Sequence, residues 1–457
     1  MSFAYNKEKN KAGGSVETIV KVKRICIENL KNVGFGEVHV DTDFETLTQA
    51  DVVGLYGQNG SGKTAIVNAF EILKGLVSSR VSVRKLPENT RQLIHVEHER
   101  AKLTFEFLVQ NPIGTFFVEY YVELARGEER IYAAVEQLSY RENKLEAPSK
   151  ILVKKGKELQ ICTQSLEDLS EKHRITAMVT SHLSEKENTS FIFHKELKPM
   201  LQDLLAEAEY ELIENIVMDF NRDLHVITNR SIGMVMAKYI MPFNVYLDQS
   251  RGMIPYDLSA PALLPESLYE TLVDVIGQTN EVLSTIIPDL KIDIQKITEQ
   301  MLDNGERGVQ FEFLSNRAGR ILPLRTESEG ILKIISILSA LIAVYNKPNA
   351  CIVIDELDSG VFEYLLGELL KIIEQTGQGQ LFFTSHNLRI LEVLSGENLW
   401  FTTSNEHNRY IQLTGIKERN NTRDVYLRAI QLGGQQEEIY KETKAFHIKR
   451  AFRKAGK

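Results

Sequence analysis

Apolar and polar positions along the chain divide it into two strand-rich stretches separated by a less regular middle. Val20-Lys21-Val22-Lys23-Arg24-Ile25-Cys26-Ile27 reads as a strand, and Glu28-Asn29-Leu30-Lys31-Asn32 follows it. A second strand is expected near Gly36 to Val40 and a third over Asp51–Tyr56. Lys102–Val109 and Thr115–Leu124 are rich in Phe, Tyr and Val, and Asn111-Pro112-Ile113-Gly114 between them suits a hairpin loop. These strands predict a lobe containing an antiparallel β-layer.

In the middle, residues 130–190 are charged and mixed, with short strands expected near Ile151–Val153. Apolar residues from Leu197 to Phe220 recur at helical spacing. A single helix there would make an arm of roughly 35–40 Å at the usual rise. A second helix is expected from Glu266 to Ile287, followed by strands near Leu290–Ile294 and Val309–Leu314. Ile331 to Tyr345 is the most apolar run. Lys333 interrupts it and it is short for a bilayer span, so it reads as a buried helix. No internal repeat is evident.

The length of 457 residues suits two to four domains and a large core. Hydrophobic and charged contents of 43% and 25% are those of an ordinary globular protein. A net charge of −8 argues against a surface that coats nucleic acid broadly, while leaving room for a local basic track. Cys26, Cys162 and Cys351 are odd in number and widely spaced, which suits a reducing compartment. Residues 1–17 read as a flexible polar tail without the apolar segment of a secretion signal. The expected location is cytoplasmic, with no membrane partner.

The strand at Asp51–Tyr56 delivers the chain into Gly57-Gln58-Asn59-Gly60-Ser61-Gly62-Lys63-Thr64, and a helical pattern runs on from Ala65 to Leu76. This is GxxxxGK[ST] in its strand–loop–helix context. Gly57, Asn59, Gly60, Ser61 and Gly62 would wrap backbone N–H groups around phosphates. Lys63 would reach the β- and γ-phosphates, and Thr64 would ligate Mg²⁺. Cys351 to Ile354 is an apolar run ending in Asp355-Glu356. Beside a phosphate loop, Asp355 would hold hydrated Mg²⁺ and Glu356 would orient or deprotonate water; elsewhere the same pair would be a surface feature. Gln380 to Thr384 ends in Ser385-His386-Asn387, where His386 either senses the terminal phosphate or serves structure. Ser328 and Gly330 open the apolar helix, as an anion site or as a plain N-cap.

Phosphate loop, Ser-x-Gly helix, Asp-Glu strand and Ser-His strand, in this order, resemble the ABC-type ATPases. The resemblance covers about residues 18–125 and 300–415. It implies an α/β fold: a P-loop ATPase head of mixed or parallel sheet plus an antiparallel β-layer. A mostly helical insertion would lie between the phosphate loop and the signature. The implied division is 18–128 for the N-terminal lobe and 129–295 for the insertion, a short arm and lid. The C-terminal lobe would be 296–418, and 419–457 a basic helical tail. Two heads would sandwich two ATPs with Mg²⁺. Ser328 and Gly330 of one subunit would complete the site of the other, Leu357-Asp358-Ser359-Gly360 would lie at the interface, and His386 would be the switch. The chain would thus be a Mg-dependent ATPase working as a homodimer or higher homo-oligomer.

Because 264 residues lie between Lys63 and Ser328, the chain is more similar to SMC-like and OLD (overcoming lysogenization defect) ATPases than to transporter subunits. Glu327 to Gly330, Ile354 to Gly360 and Phe383 to Asn387 look most like the OLD group. Phe362 stands where that group usually has His, and the 71 residues after His386 leave little room for its Toprim nuclease. The resemblance implies the ATPase component of a prokaryotic anti-phage system, of the Septu or PARIS kind, that controls a separate effector, a nuclease or toxin. A DNA-repair ATPase of the SMC-like kind is the alternative. A family Mg²⁺-sensing Gln would be Gln92 or Gln110. Residues 441–457 carry seven Lys or Arg against Glu442, either a nucleic-acid track or a solvated helix, and Lys154, Lys155 and Lys157 form a smaller basic cluster. His95 and His98 lack further metal ligands.

Overall fold

The computed structural model describes residues 17–78, 90–127, 130–144, 146–228, 240–247, 250–258, 260–416, 421–441 and 444–456. The expected tail at 1–17 lies, except for Glu17, outside them.

The central sheet has six strands: β3 (Asp51–Tyr56), β10 (Leu224–Ile227), β17 (Cys351–Ile354), β18 (Gln380–Thr384), β19 (Leu399–Thr402) and β20 (Tyr410–Ile411). Their spatial order is β10-β17-β18-β3-β19-β20. All pairs are parallel except β19 with β20. Every residue of β3, β17 and β18 is buried, as a parallel sheet covered on both faces requires.

A second, antiparallel sheet has eight strands: β1 (Ile19–Leu30), β2 (Val33–His39), β4 (Arg100–Gln110), β5 (Thr115–Arg126), β6 (Ile131–Arg141), β7 (Ser149–Lys155), β8 (Glu158–Ile161) and β9 (Gln164–Ser165). Their order is β2-β1-β4-β5-β6-β7-β8-β9. The antiparallel layer therefore runs past residue 128, the boundary expected from the sequence. Ile131, Ala133, Val135 and Leu138 face inward in β6, but Glu136 is buried among them and masks the alternation. That carboxylate accepts hydrogen bonds from Tyr120 Oη at 2.7 Å and the Phe191 amide at 2.7 Å. The basic cluster at 154–157 is also not one surface. Lys154 is buried, bridges to Glu185 at 2.9 Å and lies over the Phe191 ring.

Helix α1 (Lys63–Val77) lies between the two sheets. Phe70 meets Phe105 of the antiparallel sheet at 5.6 Å and Phe382 of the central sheet at 4.8 Å. Truncating it to Ala would cost about 3–5 kcal/mol. Helix α2 (Glu171–Glu187) follows the antiparallel sheet.

The stretch 197–220 does not form the expected arm. It divides into α3 (Lys198–Leu204), an extended break at Leu205 and Ala206, and α4 (Glu207–Glu214). A π-turn then spans Asn215–Phe220. The Glu209 carboxylate accepts the Ala206 amide at 3.1 Å, so the second helix starts afresh with its own cap. Met200, Leu201, Leu212, Ile213, Ile216, Val217 and Phe220 are all buried, and Phe220 packs edge-on against Phe107 at 5.0 Å. The helical periodicity reports this inward face, which the core absorbs.

Strands β11 (Ile240–Leu247) and β12 (Ser250–Asp257) form a hairpin. A further sheet contains β13 (Ala262–Pro265), β14 (Leu290–Met301), β15 (Arg307–Arg317) and β16 (Arg320–Pro323), against which helix α5 (Glu266–Ile286) packs. The insertion thus contains strands as well as helices. Four longer helices follow, α6 (Glu329–Asn346), α7 (Glu363–Thr376), α8 (Thr422–Leu432) and α9 (Ala445–Ala455). By length and composition α6 could cross a membrane, but 67% of that stretch is buried inside the protein.

The central sheet separates two cores. Val53, Leu55, Cys351, Val353 and Phe382 face one, with α1 and the antiparallel sheet. Val52, Tyr56, Ile352, Ile354, Leu381 and Phe383 face the other, with α6 and α7.

Candidate functional site

Strands β17, β18 and β3 lie side by side and run the same way, so their carboxyl ends form one edge. Ile354 pairs with Phe383, and Thr384 with Leu55. Beyond that edge lie Asp355-Glu356, Ser385-His386 and the phosphate loop. Open α/β sheets bind ligands at this edge.

The loop Gly57–Gly62 wraps back on itself. Gly57, Gly60 and Gly62 have φ of 150°, 77° and 103°, which only glycine adopts without strain. A Cβ on Gly57 would also collide with Thr402 Oγ1. The loop is fixed from outside: Ser61 Oγ shares a hydrogen bond with Thr402, Tyr410 Oη donates to Gly62 O at 2.8 Å, and Asn32 Nδ2 donates to Gly60 O. Lys63 is buried at the start of α1, and its Nζ donates to the carbonyls of Gly57 at 2.8 Å and Gln58 at 3.1 Å. Burial lowers its pKa, while Asp355, Glu356 and Asp358 pull the other way. An ammonium that donates to two carbonyls of the glycine loop, at the start of α1, suits an arriving polyphosphate.

Asp355 is 2% exposed. One hydroxyl organises the turn beyond it: Thr384 Oγ1 donates to Asp355 Oδ1 at 2.7 Å and accepts the Glu356 amide at 2.7 Å. Asp355 Oδ2 accepts no hydrogen bond among the described residues. Burial raises the carboxyl above its ordinary value, and the Thr384 bond partly opposes that. Glu356 is exposed and has φ of 48°, a left-handed conformation that is strained for a non-glycine residue. His386 is exposed at the end of β18, and its amide donates to the Asp358 carboxylate at 3.1 Å. Desolvation, then the Lys63 charge, push its imidazole below the ordinary value. A buried carboxylate with a free oxygen beside the phosphate loop, and a hydroxyl-bearing Thr64 at the start of α1, fit an Mg-nucleotide as an all-oxygen donor set. Thr64 is half-buried.

Ser328 and Gly330 lie elsewhere. Ser328 is the exposed N-cap residue of α6, with no hydrogen bond from its side chain to the helix. Gly330 abuts the Gly360 carbonyl of its own chain, and a Cβ there would collide with it. Neither is hydrogen-bonded to the phosphate loop among the described residues. Gln92 and Gln110 lie at opposite ends of the antiparallel sheet. Gln110 pairs with Ile19, whereas Gln92 adjoins Leu93, whose carbonyl accepts the Lys31 amide at 2.5 Å, beside Asn32 and the phosphate loop. Phe362 caps α7 and is 68% exposed, with its ring 5.8 Å from Tyr364. No group of three or more metal-ligating side chains is present among the described residues, which include His95 and His98.

Sequence reasoning missed the outer support of the loop, Asn32, Thr402, Arg409 and Tyr410. Arg409 donates to Asn32 O at 2.5 Å and to Thr403 O at 2.7 Å. It also missed the bridging role of Thr384, although the strand that ends in this residue was legible. Lys31 is another such residue: burial lowers its pKa, and the carboxylate that opposes this most strongly is Asp355.

A family described as "AAA domain, putative AbiEii toxin, Type IV TA system" matches residues 166–392, just under half of the chain. The match includes Ser328, Asp355, Glu356 and His386 and leaves out the phosphate loop. No curated protein matches. Among solved structures, an Smc head bound to the C-terminal winged-helix domain of ScpA is 10% identical. It covers 85% of this chain and 97% of its own, with a TM-score of 0.44. An Smc head with an extended coiled coil bound to a ScpA domain from Pyrococcus furiosus is 11% identical, at 86% and 96% coverage and a TM-score of 0.40. The SMC head from Thermotoga maritima is 13% identical, at 86% and 99% coverage and a TM-score of 0.37. In sequence the chain is similar to the AbiEii-type AAA domains over residues 166–392.

Proposed function

We propose that this chain is a cytoplasmic Mg-dependent ATPase of ABC type. The supporting observation is the shared edge of β17, β18 and β3, which gathers Lys63, Thr64, Asp355, Glu356 and His386 around one phosphate loop. The bound nucleotide supplies the phosphoanhydride whose terminal phosphoryl group passes to water. Gly57, Asn59, Gly60, Ser61 and Gly62 offer backbone N–H groups to phosphates, and Lys63 neutralises their charge. Thr64 and Asp355 hold Mg²⁺ through oxygen. Glu356, exposed and hinged on a strained backbone, orients or deprotonates the attacking water. His386, whose imidazole desolvation and the Lys63 charge push below its ordinary value, reads the terminal phosphate. Gln92 is the nearer candidate for a Mg²⁺-sensing glutamine.

Ser328 supports the dimeric part of this reading. It is exposed, and its hydroxyl makes no cap to its own helix, so Ser328, with Gly330 beside it, would complete the site of a second copy. ATP-driven closure of two heads would then act on a separate effector protein, a nuclease or toxin, in a prokaryotic anti-phage system. The match to a toxin-linked AAA family favours this role.

A second reading, an SMC-like ATPase working on DNA, is favoured by α9. Its side chains are all exposed and include Lys449, Arg450, Arg453 and Lys454.

The test combines two variants. Glu356→Gln is expected to bind Mg-ATP, stop turning it over and run as a dimer in nucleotide-dependent light scattering. Lys63→Ala is expected to fold with an unchanged circular dichroism spectrum and lose turnover. Normal turnover in Lys63→Ala would remove the ATPase assignment.

A further inference from the structure

One buried cation has no part in the site described above. Lys333 sits in the second turn of α6, the helix opened by Ser328 and Gly330, and is 0% exposed. Its Nζ has no hydrogen-bond partner among the described residues. Lysine is almost never fully buried without a partner, because stripping water from an ammonium is costly. Its exposed neighbour Glu329 shows that a solvated position was one turn away. Three carboxylates on the adjoining turn act on its charge: Asp358 most strongly, then Glu356, then Asp355. Burial brings its pKa down to about 8, so it is still mostly protonated at neutral pH.

Two other observations concern the same turn. Gly330 is pressed against the Gly360 carbonyl, so the helix and the turn meet without space for a methyl group. The turn is also strained, with Glu356 in a left-handed conformation. Asp358 ties it on the far side to the His386 amide.

We propose that Lys333 is a positioning residue whose buried ammonium holds the carboxylate-bearing turn Asp355–Gly360 against the start of α6. The proposal rests on the ATPase reading above for its catalytic consequence. Lys333 touches no substrate; it acts through Glu356 and Asp358. The charge stabilises the turn although Glu356 is strained within it. It also links the helix that would face a second copy to the residue that would handle water. Movement of either element would then be felt by the other.

The experiment compares the full chain with Lys333→Met, which keeps length and removes charge, and Lys333→Arg, which restores charge. Backbone amide exchange over 355–361 in nucleotide-free protein is the first readout. We expect at least tenfold faster exchange there in K333M, unchanged exchange in the antiparallel sheet, and recovery in K333R. ATP turnover is the second: kcat in K333M falls at least tenfold while KM stays within about twofold, and K333R recovers most of it. Wild-type exchange over 355–361 in K333M overturns the proposal whatever the turnover. A wild-type chain that hydrolyses no ATP overturns the ATPase reading instead, and the exchange measurement still decides Lys333. If K333M does not fold, Asp358→Asn replaces it and is expected to loosen the same seven amides; failure to do so overturns the proposal.

Discussion

Asp355 is a residue whose placement opposes its own ionisation. It is almost fully buried, and its carboxyl is held above the ordinary 3.8 chiefly by loss of water. The folded state therefore binds the proton more tightly than the unfolded state. Its contribution to stability is most favourable below the unfolded value and falls as pH rises through the folded one. Asp355→Asn removes this cost and keeps an oxygen for Thr384. We expect the variant to be more stable than wild type at neutral pH, on the order of 1 kcal/mol, with the difference vanishing toward about pH 4. Thermal melts of the nucleotide-free proteins across that range would measure it. Mg-ATP turnover should be lost in the same variant. A less stable variant at neutral pH would mean that Lys63 and Lys31 outweigh the desolvation.

Among the elements, those that a single periodicity describes were legible from the sequence. Asp51–Tyr56, Cys351–Ile354 and Gln380–Thr384 are continuous apolar runs because both faces of the central sheet are covered, and the chemistry lies at their ends. Elements that depend on a distant partner were not legible. Strand β10 is four residues long and exists as a strand through its pairing with β17, more than a hundred residues later. The apolar face of 197–220 was read correctly as helical. Its interruption at Leu205 and Ala206 lies in backbone conformation, and the periodicity carries no trace of it. The β6 strand was obscured by Glu136, which is buried with hydrogen-bond partners from β5 and from residues 190–191. At the site, the loop and the carboxylates were visible as motifs. Their supports, Thr384, Thr402 and Tyr410, are ordinary residues made important by where strands end.

Helix α6 offers an element-scale test. Alanine is favoured over glycine in a helix by about 1 kcal/mol, so Gly330→Ala would be stabilising if nothing pressed on that turn. The Gly360 carbonyl does press on it. We expect Gly330→Ala to lower ATP turnover at least tenfold while leaving Mg-ATP affinity, read with a fluorescent analogue, within about twofold. Turnover at the wild-type rate would show that the two elements separate freely.

Over the whole molecule, charge is unevenly distributed. The chain carries a net −8, yet residues 441–457 hold seven cations against one acid. Helix α9 leaves Phe446 and Phe452 more than 70% exposed. It starts a few residues after Lys441, whose backbone exchanges two hydrogen bonds with Gln58 of the phosphate loop. A chain ending at Lys441 keeps that contact and loses the helix. We expect it to hydrolyse ATP within about twofold of the full chain. On the DNA-working reading, anisotropy of a labelled duplex would lose affinity, and the slope of log affinity against log salt would shrink by about 4–5 units. An unchanged slope would remove the helix as a phosphate-binding surface.

The central sheet also has a consequence for synthesis. Strand β3 and the phosphate loop are made early, but the strands on either side of β3, β18 and β19, begin at Gln380 and Leu399. Thr402 and Tyr410, which brace the loop, come later still. At about 5–20 residues per second, Val52 to Tyr56 would wait roughly 20–70 s on the ribosome with both edges unpaired. During that interval the nascent chain exposes an apolar strand that can add to any neighbour's edge. The glycine loop after β3 is therefore among the last parts of the fold to be braced, and a chain released early would carry an apolar strand in the open.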